Sequence, residues 1–387
     1  MNSPETYRET ESKLIPKNLA ACHELMIFRH LAEPIKQIYM SHPQDPCSLR
    51  VRRQGVEPRY TATLKIPIKN PIEHDSLEVE TDISADTYKF YEGQDQLPRL
   101  QKQRATVLPG ITIDWIDGLP NPLLEIEKPA SIDNTPWLDP NLYQDVSTDN
   151  RYHNANIAYR ISNPIHNKSL QPYTPTDTAQ QVEHLLSEID RRQANKEDSV
   201  VATVAGGSAS GKTSRVARVL AQETGGTLIS MDDYYMGQAI AKELYGYNLT
   251  DINFDHPEYY RTRLLGTHLA KLALGQTVAL RKYQMATAEL ADEYSKITAV
   301  PGKPIIVEGI YASHPEIAKA ADITAFVDAP MHIRTMRRIM RDHFIGEREV
   351  VFSTPKEHLR YLLEVCEPSF EAHGAHQKQS ANVIINT

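Results

Sequence analysis

The sequence predicts a chain of two unlike parts. The first is an antiparallel β tunnel or barrel of α+β type; the second is an α/β domain with a doubly wound parallel sheet and helices on both faces. Three observations predict this. Short strands in the first half alternate charged and apolar residues, Val201–Ser214 reads VATVAGGSASGKTS, and the second half alternates β-branched runs with helical stretches.

In chain order, residues 1–17 (MNSPETYRETESKLIPK) are polar, lack the apolar core of a secretory signal, and read as a flexible tail or short helix. The strands that follow have a period of two. Arg50 and Arg52 share one face, as do Lys65 with Thr63, Glu78 with Glu80, Lys102 with Arg104, and Glu125 with Glu127. One reading is a sheet with a solvated charged face; the other is a barrel with a charged interior and an apolar outside covered by helices. Residues 161–198 read as a Pro/Asn/Thr-rich linker and an amphipathic helix with Val182, Leu185, Leu186 and Ile189 on one side.

The α/β domain is expected over 199–387. Its first strand, Val200–Val204, runs into G-x-x-x-x-G-K-[ST], with Gly206, Gly211, Lys212 and Thr213 in the fixed places. A strand, a glycine turn and a helix start aim backbone N–H groups at one point, which makes an anion seat out of Gly206, Gly207, Ser208, Ala209, Ser210, Gly211, Lys212, Thr213 and Ser214. Lys212 would reach the outer phosphates of a nucleotide such as ATP, and Thr213 would help to hold Mg²⁺. Later strands end at Ser230, Glu308 and Asp328, so Asp232 and Glu308 fall at the carboxyl edge where doubly wound sheets bind ligands. Glu308 would complete the metal shell, and Asp232 is either a base for an acceptor hydroxyl or a turn carboxylate. Arg334, Arg337, Arg338 and Arg341 lie at i, i+3, i+4 and i+7 and fit a phosphate-closing lid.

Composition bounds the function classes. With 387 residues, 40% hydrophobic and 24% charged, the chain has the balance of soluble domains. A net charge of −8 gives no support to a nucleic-acid partner. Three scattered cysteines argue against a disulfide scaffold or zinc cluster and point to a reducing cytoplasm. No run reaches the about 18 apolar residues of a membrane span. Association with a second copy is left open.

The first half resembles the CYTH, or triphosphate-tunnel, family over 18–160, through LRVRR, YTATLK, LEVETDIS, LQKQR, ITIDW, LLEIEK and PWLDPNLYQDVSTDNRYHNANIA. The resemblance implies a closed tunnel. Arg50, Arg52, Lys65, Lys102 and Arg104 would grip a polyphosphate or nucleotide, and Glu78, Glu80, Glu125 and Glu127 would be acidic lining or metal ligands. The family's opening strand carries E-x-E-x-K, whereas the stretch assigned to it here, Ala21–Phe28, aligns no such set. Binding without fast hydrolysis is the expectation.

The second half resembles the uridine kinase and phosphoribulokinase family of P-loop kinases, through GGSASGKTS, MDDYY, NFDHP, VEGIYA, RTMRRIMRD and ANVII. The resemblance implies an ATP- and Mg²⁺-dependent kinase of a nucleoside or sugar-like hydroxyl. Asp232 would be the base, Asp255 and His256 would lie at the acceptor, Tyr283 beside its base, and Arg338, Arg341 and Arg348 would be lid cations. No histidine stands near Tyr283–Ala288 to read a pyrimidine edge, Arg360 replaces a frequent glutamine, and Gly346 replaces a lid arginine, so the acceptor is open. Two alternatives remain: a tunnel phosphohydrolase regulated by a nucleotide-binding second half, and a non-catalytic nucleotide sensor.

Overall fold

The computed structural model describes residues 11–67, 76–127, 139–162, 170–174, 178–245, 253, 255–284, 287, 289–345 and 352–387. The chain divides into two compact units, Met1–Tyr173 with Phe352–Arg360, and Thr174–Val351 with Tyr361–Thr387.

The first unit is built on nine strands: β1 (Glu11–Pro16), β2 (Glu33–Tyr39), β3 (Ser48–Gln54), β4 (Arg59–Pro67), β5 (Ser76–Asp82), β6 (Arg99–Leu108), β7 (Ile111–Ile116), β8 (Leu123–Glu127) and β9 (Tyr143–Asp145). They form one antiparallel sheet in the order β5-β4-β3-β2-β6-β7-β8-β1-β9. Among the described residues no ladder joins β5 to β9, so their hydrogen bonding does not itself close the tunnel expected from the sequence. Three helices accompany it: α1 (Leu19–Met26), α2 (Ala85–Glu92) and α3 (Asn154–Ser162).

The alternation sorts the side chains as a charged interior requires. Leu14, Ala105, Ile113, Leu124 and Ile126 pack with Leu25 of α1, and Tyr39, Leu100, Ile116 and Leu123 pack with Ile157 and Ala158 of α3. The face opposite Leu14, Ala105, Ile113, Leu124 and Ile126 carries Lys13, Lys102, Asp114 and Glu125, each no more than 4% exposed, and shares its parity with Leu100, Ile116 and Leu123. A solvated charged face is therefore not what forms.

Two expectations are corrected at the N-terminus. Residues 11–16, read as tail, are β1, which pairs with both β8 and β9. The stretch assigned to the family's opening strand is instead α1, capped by the Asn18 side chain accepting from Ala21 N at 3.0 Å. With β1 in the sheet, Glu9-Thr10-Glu11-Ser12-Lys13 supplies the E-x-E-x-K spacing after all, although Glu9 lies outside the described residues. Six residues ending in proline, after a polar lead, gave too few periods to read as a strand.

The second unit opens with α4 (Thr178–Gln193), then β10 (Val201–Ala205), a wide helical turn (Lys212–Ala217) and α5 (Arg218–Thr224). Next come β11 (Thr227–Ser230), α6 (Gln238–Tyr245), α7 (Thr262–Ala273) and four short strands, β12 (Val278–Leu280), β13 (Tyr283–Gln284), β14 (Glu289–Leu290) and β15 (Ser295–Ile297). β16 (Ile305–Gly309), α8 (Pro315–Ala318), β17 (Ile323–Asp328), α9 (Met331–Ile339) and β18 (Val383–Asn386) follow. The main sheet is parallel, in the order β11-β16-β10-β17-β18.

Successive strand residues serve opposite cores. Val201, Ala205, Ile305 and Val307 meet Leu265, Leu269 and Leu272 of α7, while Ala202, Val204, Ile306 and Val327 meet Val182, Leu185 and Ile189 of α4 and Leu220 of α5. Helices thus cover both faces, and continuous apolar strands are the consequence. β10 lies at the centre, so its carboxyl end opens at the switch point of the sheet.

Candidate functional site

The loop after β10 is packed so tightly that side chains are excluded from its first half. A Cβ on Gly206, whose φ is +152°, would lie 2.5 Å from Val327 O, and one on Gly207 would lie 2.5 Å from Arg334 Nη1. Lys212 follows at the head of the helical turn, half-buried, with no ion pair among the described residues. Glycine backbone, a helix start and an ammonium are thus gathered in one loop, an arrangement of the kind that binds anions at helix N-termini.

Beside it lies an oxygen cluster. Glu308, at the end of β16 and 4% exposed, accepts from Thr213 Oγ1 at 2.8 Å through one carboxylate oxygen and from Ser230 Oγ at 2.8 Å through the other. Ser230 Oγ also accepts from Asp232 N at 3.3 Å, which fixes the turn Met231–Tyr234 and hence Asp232. Hard oxygen donors beside a phosphate seat are what Mg²⁺ takes, so Thr213 and Glu308 fit the ion that the sequence implies. Among the described residues no group of three His, Cys, Asp or Glu side chains is placed to hold a metal unaided. Ser230 had no signal in the sequence beyond its place at a strand end.

Beside this turn stands a wall of tyrosines. Tyr235 and Tyr260 are hydrogen-bonded hydroxyl to hydroxyl with ring centroids 4.1 Å apart, Tyr283 lies 4.9 Å from Tyr235, and Tyr311 lies 5.7 Å from Tyr260. Burial, then the fields of Asp232 and Asp255, push the Tyr235 hydroxyl well above its ordinary pKa. Burial, Glu289 and Asp232 push Tyr283 up to about 12. These walls stay neutral. Asp255 is 9% exposed and takes Arg338 Nη1 on its Oδ2 at 3.2 Å, while its backbone carbonyl accepts from Tyr311 and from Ser369 Oγ at 3.4 Å. His256 is occupied locally: its Nδ1 accepts from Glu258 N at 3.3 Å, and its ring meets His373 edge-on at 4.6 Å.

The four arginines do not act as one stripe. Arg334 is 6% exposed and donates to both carboxylate oxygens of Glu367, at 3.0 and 2.6 Å, under Gly207. Arg337 reaches the carbonyls of Ala209 and Ser210, Arg338 holds Asp255, and Arg341 pairs with Asp342 at 2.5 and 2.8 Å. Arg348 lies outside the described residues. Removing one partner of a buried pair strands the other, so Arg334→Met lowers folding stability by about 3–5 kcal/mol. Denaturant unfolding checks this, and a loss under about 1 kcal/mol makes the pair a surface-like one.

In the first unit the sheet brings the tunnel candidates together. Lys102 pairs with Asp114 at 2.5 Å, Arg104 grips Asp114 with two bonds of 2.6 Å and also pairs with Glu125, and Lys13 bridges Glu125 at 2.8 Å and Glu11 at 2.9 Å. Burial alone would raise the Glu125 carboxyl, but Lys13, Arg104 and Lys102 hold it well below its usual range. Lys65 pairs with Glu78 at 3.0 Å, and Glu80 accepts from Thr63 Oγ1 at 3.0 Å. Glu127 is exposed at the end of β8.

Two cations here, Arg52 and Lys102, are held below their ordinary range, chiefly by burial. Arg50 and Arg52 each bury an Nε–H with no acceptor among the described residues. Burial, then Arg50 and Arg104, bring Arg52 down to about 10. Burial and Arg104 outweigh Asp114 and bring Lys102 down to about 8.

A nucleotide loop at the switch point of a five-stranded parallel sheet, with Glu308 and Asp232 on the same edge, defines a P-loop phosphotransferase. The chain belongs to the Phosphoribulokinase / Uridine kinase family, whose profile matches residues 201–387. The uridine kinase of Shewanella halifaxensis is 34% identical over 203 residues, covering 49% of this chain and 89% of that protein. Among solved structures, a D-glycerate 3-kinase from Cryptococcus neoformans shares 16% identity, with 55% of this chain and 96% of that one covered and a TM-score of 0.40. An inorganic triphosphatase shares 21% identity, covering 39% of this chain and 95% of that one with a TM-score of 0.25. Structural likenesses this slight carry no weight here. The family implies a nucleoside triphosphate donor and, typically, Mg²⁺. Among the described residues no helix is long and apolar enough to cross a membrane.

Proposed function

We propose that the second unit transfers the γ-phosphoryl group of ATP to a hydroxyl of an uncharged nucleoside or sugar-like acceptor. The observation that carries this is the linked chain Thr213–Glu308–Ser230–Asp232, which ties the metal oxygens to the candidate base through three hydrogen bonds. When bound, the nucleotide with its Mg²⁺ supplies the phosphoryl group and spreads the developing charge. Lys212 and the loop N–H groups hold the phosphates. Asp232 accepts the proton of the acceptor hydroxyl as its oxygen bonds to phosphorus and the bond to the departing diphosphate breaks. Asp255, steadied by Arg338, orients neighbouring hydroxyls, and the neutral tyrosines offer stacking surface but no positive charge for a phosphorylated acceptor. ATP and Mg²⁺ with a panel of nucleosides, pentose phosphates and tripolyphosphate, every product scored, test the reading. Transfer to pentose phosphates alone overturns it.

A second reading concerns the first unit, and the orphaned guanidinium N–H groups of Arg50 and Arg52 favour it. We infer a site there for a triphosphate or nucleotide, whose oxygens would take those donors and relieve the repulsion among Arg50, Arg52 and Arg104. The placement of Glu11 and Lys13 removes the main reason for expecting slow hydrolysis. Lys102 has a folded pKa of about 8 and must be protonated to attract an anion. Tripolyphosphate affinity therefore falls as pH rises through about 8, and binding near that pH takes up a proton. Calorimetry of the full chain in two buffers of different ionisation enthalpy reads both effects. Flat affinity between pH 7 and 9 removes Lys102 from the site. Metal-dependent phosphate release, lost on Glu11→Gln, would make this unit a phosphohydrolase.

A further inference from the structure

Within the nucleotide loop one residue is held where its own chemistry does not favour it. Ala209 has φ +59°, the sole non-glycine residue with positive φ among the described residues. An L-residue there crowds its Cβ against the following carbonyl, so the surroundings must supply the restraint. They do. Arg337 Nη1, from α9, donates to Ala209 O at 3.3 Å, to Ser210 O at 3.3 Å, and approaches Thr387 Oγ1 at 3.5 Å. Thr387 Oγ1 donates to the same Ser210 carbonyl, and Ser210 N closes a turn onto Gly207 O at 3.1 Å.

Two consecutive carbonyls drawn to one guanidinium fix two peptide planes. A trans peptide sets N–H opposite C=O, so anchoring Ser210 O turns the Gly211 N–H away from Arg337 and toward the anion seat. We propose that Arg337, seconded by Thr387, is a positioning residue for nucleotide binding: it holds Ala209 in its left-handed conformation and so keeps the loop's donors aimed at the phosphates. This rests on the loop being the nucleotide seat. Arg337 acts through the backbone, unlike Arg338, which reaches the acceptor side through Asp255.

The test is a double-mutant cycle in the full chain, with a non-hydrolysable ATP analogue and Mg²⁺ as the probe. Arg337→Met weakens analogue binding about tenfold and raises KM for ATP to match, with KM for the acceptor unchanged; directly coupled groups give effects of this order. In an Ala209→Gly background, where glycine adopts positive φ unaided, the same substitution costs only about two- to threefold. Thr387→Val, which removes a hook without changing charge or helix, gives about a two- to fivefold loss that Ala209→Gly abolishes. Equal losses in both backgrounds would mean that Arg337 acts by charge alone and would overturn the proposal, as would no loss in either. If Arg337→Met does not fold, the Thr387→Val arm decides by the same criterion. Lys212→Ala separates the premises. Undiminished analogue binding in that variant sinks the nucleotide seat itself, whereas lost binding there with an indifferent Arg337→Met sinks only the positioning role.

Discussion

Asp232→Asn lowers turnover by about 10²–10⁴ and leaves nucleotide binding in place. The substitution keeps the side chain's shape and removes its ability to take a proton. Asp232 N is tied to Ser230 Oγ, and Ser230 Oγ to Glu308, so the turn that carries the carboxylate is fixed from the backbone and does not depend on the charge at Oδ. Asp232 and Asp255 both bear electrostatically on the Tyr235 hydroxyl, so Asp232 stands near the tyrosine cluster that is proposed to face the acceptor. Thr213, on the loop proposed as the nucleotide seat, bonds the other carboxylate oxygen of Glu308. Steady-state kinetics with a binding isotherm for the ATP analogue check the split between kcat and affinity. A drop of only a few-fold makes Asp232 a turn residue, and a parallel loss of analogue binding shifts it to the metal shell.

The parts of the site carried by backbone geometry were legible in the sequence, and the parts carried by packing were not. Gly206 and Gly211, both at positive φ, announce a tight turn, and β10, β16 and β17 are apolar runs that end at the edge where doubly wound sheets bind ligands. Lys212, Thr213, Asp232 and Glu308 could be placed along one edge from strand order alone. Ser230 could not, because a single serine at a strand end gives no periodic or spacing signal. The arginine stripe misled for a related reason. Positions i, i+3, i+4 and i+7 share a side of an isolated helix, but they span enough arc and rise for α9 to send Arg334 under Gly207, Arg337 to the loop carbonyls and Arg338 to Asp255. In the first unit the alternation revealed which residues share a face. It could not say whether that face was wet or buried, since the period is the same in both cases. β1 escaped altogether. Its six residues are stabilised by long-range pairing to β8 and β9, which local pattern does not encode.

Lys212→Ala reduces phosphoryl transfer to background, a loss of about 10²–10³ or more, and weakens binding of the ATP analogue as well. Lys212 is the sole cation within the loop Gly206–Thr213, where the backbone N–H groups contribute only partial charge. Those donors lie fixed around the seat and address the phosphates in the ground state. A flexible ammonium can follow the outer phosphate as charge develops on it, so its removal raises the barrier more than it weakens binding. Arg337 cannot replace it, because its guanidinium is spent on the carbonyls of Ala209 and Ser210 on the opposite side of the peptide planes. Arg338 is likewise committed to Asp255 at 3.2 Å. Lys212→Arg is therefore the informative companion. It keeps the charge but brings a bulkier planar group into a loop whose glycines already sit within 2.5 Å of their neighbours wherever a Cβ is added at Gly206 or Gly207, so it restores binding better than turnover. Rapid mixing with single-turnover quench separates the two effects. Full transfer by a correctly folded Lys212→Ala chain would remove this loop as the donor site.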